Sequence, residues 1–126
     1  MTQTRMTRQR AVILETLRSV TSHPSADELY GMVRKKMPKI SLGTVYRNLD
    51  LLVDGGAVRL LDRAGMQKRF DGDLSPHTHI RCERCGRVGD VFTPVEVSEL
   101  ANDAVPGFTV NRAEVEFVGL CDACKC

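Results

Sequence analysis

A chain of 126 residues has room for one domain or two very small ones, and its 42% hydrophobic and 27% charged residues are ordinary for a globular protein. No run approaches the roughly 18 consecutive apolar residues of a membrane span. The basic start, MTQTRMTRQR, leads into an apolar stretch broken by Glu15 and Arg18, which argues against a signal peptide and for a cytoplasmic protein.

The net charge of +2 conceals an asymmetry. Residues 1–47 carry nine Lys/Arg against three Asp/Glu, and residues 48–126 carry nine against thirteen, so +6 stands beside −4. A basic half beside an acidic half assigns one end to a polyanion and leaves the other for different work.

Thr7 is placed to cap a helix reaching about Arg18, with Ala11, Ile13, Leu14 and Leu17 inward. His23-Pro24 interrupts the pattern. Ser25-Ala26-Asp27-Glu28 has the Ser-x-x-Glu form of a capping box and opens a second helix, predicted to run to about Lys36 and to stop at Met37-Pro38. Ser41 caps a third, Leu42 to Asp54, closed by Gly55-Gly56. Beyond it, short runs holding Val58 and Leu60, then Met66 and Phe70, flank the turn Asp62-Arg63-Ala64-Gly65 and predict a hairpin. Three helices and a hairpin make a winged helix-turn-helix, whose third helix enters the DNA major groove. Ser41, Thr44, Tyr46 and Arg47 lie in its first two turns, while Val45, Leu49 and Leu52 face the core. Arg47 suits guanine or phosphate, and Tyr46 offers a hydroxyl and a ring for a thymine methyl.

The second half carries two C-x-x-C pairs, Cys82/Cys85 and Cys121/Cys124. Four thiolates close the tetrahedral shell of a structural Zn²⁺, although the 35 residues between the pairs exceed usual zinc-ribbon spacing. A thiol–disulfide switch is the competing use. Cys126 reads as a spare thiol or a substitute for Cys124. Strands are predicted on either side of the Cys82–Gly86 knuckle over residues 79–92. A helix from Pro94 carries Val97, Leu100, Ala101 and Ala104, and a long strand runs from Phe108 to Leu120. An α+β unit of about 50 residues buries little core, so a zinc staple and a partner subunit both make physical sense.

All three histidines, His23, His77 and His79, fall outside the cysteine set, with Asp71 and Asp90 as carboxylate companions. Alternate residues of a strand point to one side, so His77-x-His79 can share an ion. A site of imidazole and carboxylate without thiolate suits Fe²⁺ or Mn²⁺, though raw affinity favours later divalent metals. A hydrolytic metal centre is another possible use of such ligands. No persuasive nucleophile and acid accompany them, and no enzyme activity is expected.

In order along the chain stand Thr7-Arg8-Gln9-Arg10, His23-Pro24-Ser25-Ala26-Asp27-Glu28-Leu29-Tyr30, Ser41-Leu42-Gly43-Thr44-Val45-Tyr46-Arg47-Asn48-Leu49, Arg69-Phe70-Asp71, His77-Thr78-His79 and both cysteine pairs. Together they resemble the ferric uptake regulator family over nearly the whole chain. The resemblance implies a homodimeric, metal-dependent repressor that binds double-stranded DNA, at operators that are usually A/T-rich inverted repeats. It implies a winged-helix domain at 1–71, a hinge at 72–76 and an α+β dimerisation domain at 77–126. Structural Zn²⁺ on Cys82, Cys85, Cys121 and Cys124 is implied with it. Arg10, Ser41, Thr44, Tyr46 and Arg47 are the DNA-contact candidates.

The chain looks most similar to the peroxide-sensing branch, whose five regulatory ligands for Fe²⁺ or Mn²⁺ match His23, Asp71, His77, His79 and Asp90. Asp rather than Glu after Arg69-Phe70 favours that branch, and His23 and His77 are the implied oxidation targets. Thr78 interrupts the histidine run and Val110-Asn111-Arg112-Ala113 has no histidine, so the additional metal site of many iron and zinc sensors is not expected. Two departures stand out: six residues precede Thr7, where many relatives have a helix, and Arg8 replaces the usual Pro. An iron-availability sensor of the same architecture is the nearest rival, and a zinc-based thiol-switch repressor a more distant one.

Overall fold

The computed structural model describes residues 6–62, 65–94, 105–110 and 114–125. It divides into two compact units, Met1–Ser75 and Pro76–Cys126, with the boundary inside the segment expected to be a hinge.

The first unit holds helices α1 (Arg8–Arg18), α2 (Ala26–Val33) and α3 (Leu42–Asp54), followed by strands β1 (Arg59–Leu61) and β2 (Arg69–Asp71). Each helix begins where a side-chain oxygen accepts an otherwise orphaned amide. Thr7 accepts from the amide of Arg10, Ser25 from that of Glu28 and Ser41 from that of Thr44. At α2 the capping box is complete, because the Glu28 carboxylate accepts the Ser25 amide at 3.0 Å. That helix ends earlier than the predicted Lys36. The amides of Lys36 and Met37 both bond the carbonyl of Val33, which closes the turn before Pro38.

Ile13, Leu17, Leu29, Val33, Val45 and Leu49 are fully buried where the three helices meet, and Phe70 joins them from β2. β1 and β2 pair antiparallel with Leu60 opposite Phe70. The hairpin is shorter than predicted: Val58 lies before β1 and Met66 before β2, and Arg63 and Ala64 of its turn lie outside the described residues.

The second unit is a three-stranded sheet in the order β4-β3-β5, made of β3 (Thr78–Cys82), β4 (Val88–Val91) and β5 (Glu116–Gly119). β3 runs antiparallel to β4 and parallel to β5. Of the long strand predicted from Phe108 to Leu120, Glu116–Gly119 are strand, residues 108–110 and 114–115 are not, and residues 111–113 lie outside the described residues. The expected helix beyond Pro94 falls on residues 95–104, outside the described residues, as does Cys126. Ile80 and its register partner Phe117 are both exposed, as are Val118 and Leu120. Among the described residues no helix is long and apolar enough to cross a membrane.

Candidate metal centres and nucleic-acid interface

The cysteines meet because β3 and β5 lie side by side. Cys82 ends β3, Gly119 pairs with it on β5, and the amide of Glu83 bonds the Gly119 carbonyl at 2.9 Å. Each C-x-x-C closes as a tight turn, with the Gly86 amide on the Cys82 carbonyl and the Cys124 amide on the Cys121 carbonyl, both at 2.9 Å. Gly86 has φ +82°, a left-handed conformation that glycine adopts without steric penalty.

The four sulfurs lie within 4.8 Å of one another, and Cys85 Sγ is 3.7 Å from Cys121 Sγ. Tetrahedral Zn–S bonds of about 2.3 Å put sulfurs about 3.8 Å apart, so the cluster has the dimensions of a zinc shell. Its acid–base chemistry fits as well. The backbone amide of Cys85 directed at Cys82 pulls that thiol down to about 6, with help from the amide of Cys121. Cys124 is pushed up to about 12 by the neighbouring Cys121 sulfur. Lowering Cys82 while raising Cys124 marks neighbouring sulfurs that compete for negative charge, a conflict that a divalent cation removes. Two arginines tie the turns together: Arg84 Nη1 donates to the Cys124 carbonyl at 2.6 Å, and Arg87 Nη1 to Asp122 Oδ1 at 2.7 Å.

In the same unit His79 stands directly opposite Asp90 across the β3–β4 ladder, and His77 lies two residues earlier on the same side. Asp90 Oδ1 is 3.2 Å from His77 Nε2 and 3.4 Å from His79 Nε2, so one carboxylate oxygen serves both imidazoles. The two rings meet edge to face with centroids 4.7 Å apart.

In the first unit His23 Nε2 lies 3.6 Å from Asp71 Oδ2, and both residues are buried. Asp71 Oδ1 accepts the Asp73 amide at 2.9 Å, which turns the other oxygen towards the imidazole. Adjacent ligands on an octahedral ion with bonds of about 2.1 Å are about 3 Å apart. The three imidazole–carboxylate separations are therefore close to what shared ligation requires. Within each unit the structure thus gathers the residues singled out in the sequence: His23 with Asp71, and His77 and His79 with Asp90.

Helix α3, the expected recognition helix, presents Tyr46 and Arg47 to solvent, with Ser41 exposed at its cap. Arg47 Nη2 donates to Thr44 Oγ1 at 3.1 Å, and Thr44 Oγ1 pairs with Ser41 Oγ at 2.9 Å, so the polar first turn is organised before any ligand arrives. Arg10 differs from its expected place among the DNA contacts. It is buried, on the same face of α1 as Ile13, Leu14 and Leu17, and its Nε donates to Asn48 Oδ1 at 3.0 Å. Asn48 went unnoticed in the sequence, yet it bonds both Arg10 and the Thr44 carbonyl. Its placement on the core side of an otherwise apolar stripe with Val45, Leu49 and Leu52 was the available signal.

Comparison with known proteins agrees with this arrangement. The chain is 41% identical over 123 residues to the peroxide-responsive repressor PerR of Staphylococcus epidermidis, covering 96% of this chain and 81% of that protein. It is 39% identical over 126 residues to the peroxide operon regulator of Bacillus subtilis, covering 98% and 86%. The crystal structure of the Campylobacter jejuni peroxide stress regulator superposes with a TM-score of 0.73 at 30% identity, over 92% of this chain and 88% of that one. The profile of the ferric uptake regulator family matches residues 1–118, spanning the capped helices, the paired His/Asp groups and the first cysteine pair. With the fold, the ligand groups and this match in agreement, the chain belongs to the ferric uptake regulator family.

Proposed function

We propose that this protein is a homodimeric, metal-dependent DNA-binding repressor that responds to hydrogen peroxide. The observation that carries the reading is the Asp90 carboxylate shared by His77 and His79, matched in the other unit by the His23–Asp71 pair. The relatives named for their response to peroxide support the same assignment.

Zn²⁺ on Cys82, Cys85, Cys121 and Cys124 staples the small second unit, and the exposed Ile80, Phe117, Val118 and Leu120 suit burial against a second copy. His23, Asp71, His77, His79 and Asp90 form the regulatory ligand set for Fe²⁺ or Mn²⁺. When bound, Fe²⁺ would supply the redox catalysis that activates peroxide and would be regenerated as the imidazole gives up two electrons overall, whereas Mn²⁺ would support DNA binding without that reactivity. An ion bound by this set would restrict the positions of the two α3 helices in a dimer. Such helices must engage half-sites roughly 34 Å apart, or a multiple of it, and metal shifts the population towards that state. Tyr46, Arg47, Ser41 and Thr44 meet the DNA, and Arg10 acts from behind by bracing α3 through Asn48.

His23 and His77 are the side chains that peroxide modifies: one oxygen is inserted into an imidazole and one water is released per peroxide consumed. An oxidised ring is a poor ligand, so binding falls and the operator is freed. The protein is spent rather than turned over, which makes it a sensor and not an enzyme. It acts in the cytoplasm, where its DNA is.

Peptide mass spectrometry on anaerobically Fe²⁺-loaded protein after near-stoichiometric peroxide, with an Mn²⁺-loaded control and DNA binding followed in parallel, tests this. Oxygen added at His23 or His77 with lost binding, in the iron form only, is expected. Unmodified histidines with retained iron-dependent binding reassign the protein to sensing iron availability. Disulfides with zinc release reassign it to a thiol switch.

A further inference from the structure

His23 is the one described non-glycine residue with positive φ, at +53°. That left-handed conformation is uncommon for a residue with a Cβ, and a residue preceding proline is otherwise drawn to the extended region. Something must hold it there, and β2 does so with consecutive residues. Arg69 Nη1 donates to the His23 carbonyl at 3.0 Å, and the Phe70 amide donates to the Pro24 carbonyl at 3.0 Å. The next residue on the strand, Asp71, presents its carboxylate to the His23 imidazole at 3.6 Å. The same Arg69 Nη1 lies 3.6 Å from the Glu28 carboxylate that closes the capping box of α2.

We propose that Arg69 is a positioning residue for the regulatory metal: its hydrogen bond to the His23 carbonyl locks the His23–Pro24 peptide, and so keeps the imidazole beside Asp71. The inference rests on the reading of His23 as a ligand. Fixing that peptide plane sets ψ of His23, which with φ sets the direction of its Cα–Cβ bond. Without the guanidinium the His23 backbone relaxes towards the extended region and carries the imidazole away from Asp71. Arg69 touches no ligand atom; it acts on metal binding only through the main chain of His23.

The test is a double-mutant cycle on full-length, zinc-replete protein, with Mn²⁺ affinity read from the free-ion EPR signal. Removing a residue that orients a ligand lowers metal affinity by about 10- to 100-fold, and that is the loss expected for Arg69→Ala. In a His23→Ala background the same change should have no further effect, because the residue it positions is gone. Arg69→Lys, which keeps a donor group and the charge, should recover part of the affinity. Should Arg69→Ala fail to fold, Arg69→Met carries the cycle, since it keeps the stem and loses the donors. Unchanged Mn²⁺ affinity in the Arg69 variant while His23→Ala is impaired overturns the proposal. An equal loss in both backgrounds also overturns it, because Arg69 then acts through general stability. An unaltered affinity in His23→Ala refutes the ligand reading itself, and the inference falls with it.

Discussion

Arg10 on α1 and Asn48 on α3 are joined by a buried 3.0 Å hydrogen bond that braces α3 from its core side. Asn48 passes the link on by donating to the Thr44 carbonyl at 2.8 Å, and Thr44 Oγ1 receives Arg47 on the exposed face. Truncating one partner leaves the other buried without its bond, a loss of about 1–3 kcal/mol. Arg10→Ala and Asn48→Ala are each expected to lower the urea-unfolding free energy of the protein by that amount. The double variant should cost less than the sum, because the two residues share one interaction.

Arg47 is exposed and held in place by Thr44, so its removal should spare the fold and weaken DNA. Arg47→Ala is expected to cost about 1–3 kcal/mol of operator affinity if it reads a base, with specificity relaxed at one position. A phosphate contact would instead lower the slope of log affinity against log salt by about 1. Fluorescence anisotropy across a salt series distinguishes the two, with the thermal midpoint as control.

The sulfurs of Cys82, Cys85, Cys121 and Cys124 lie within 4.8 Å of one another in a unit whose described residues bury only Cys82 and Val88 among their apolar side chains. Cys85→Ser is expected to abolish tight zinc binding and to unfold the second unit, because in small metal-stapled domains binding and folding are one equilibrium. Elemental analysis after dialysis and far-ultraviolet circular dichroism check this. Cys126→Ser should retain its zinc; a zinc-free Cys126→Ser protein would place that residue in the shell.

Ser25 and Glu28 close the capping box of α2, and Ser25→Ala should cost about 1 kcal/mol in chemical denaturation. The same pair sets a pH dependence. The Ser25 amide, aided by its hydroxyl and by Arg69 and opposed by burial, holds the Glu28 carboxyl below its ordinary value of 4.5. A depressed carboxylate contributes stability that is present above its unfolded value and lost as pH falls through the folded one. Glu28→Gln should therefore flatten the acid limb of stability below about pH 4.5. The effect should be small, because more than half of the side chain faces water, which screens the charge.

The sequence placed the start of α1 and both ends of α3, because Thr7, Ser41 and the Gly55-Gly56 stop act through bonds within one or two turns. The capping box was legible for the same reason. The end of α2 was not, since it is settled by two amides converging on the Val33 carbonyl rather than by the downstream proline alone. Among the described residues, β5 is strand only over Glu116–Gly119, less than its alternating pattern suggested. Period-two patterning extends over Thr109 to Phe117, but a strand exists only where a neighbour supplies a ladder, and β3 does so over His79–Cys82.

Ligand types were equally readable. Four cysteines in two C-x-x-C turns and a His-x-His require little beyond local spacing to announce metal chemistry. The residues that hold the functional elements in place were not readable. Arg10 carries the charge of a DNA contact and is buried against Asn48, 38 positions away. Arg69 resembles any strand arginine until it is found on the His23 carbonyl, 46 positions away. Local hydrogen bonds and side-chain periodicity are written in neighbouring residues, so caps, turns and ligand pairs follow from them. Burial and the left-handed backbone of His23 follow from contacts between segments remote in the chain, and those exist only once α1, α2, α3 and β2 have packed together.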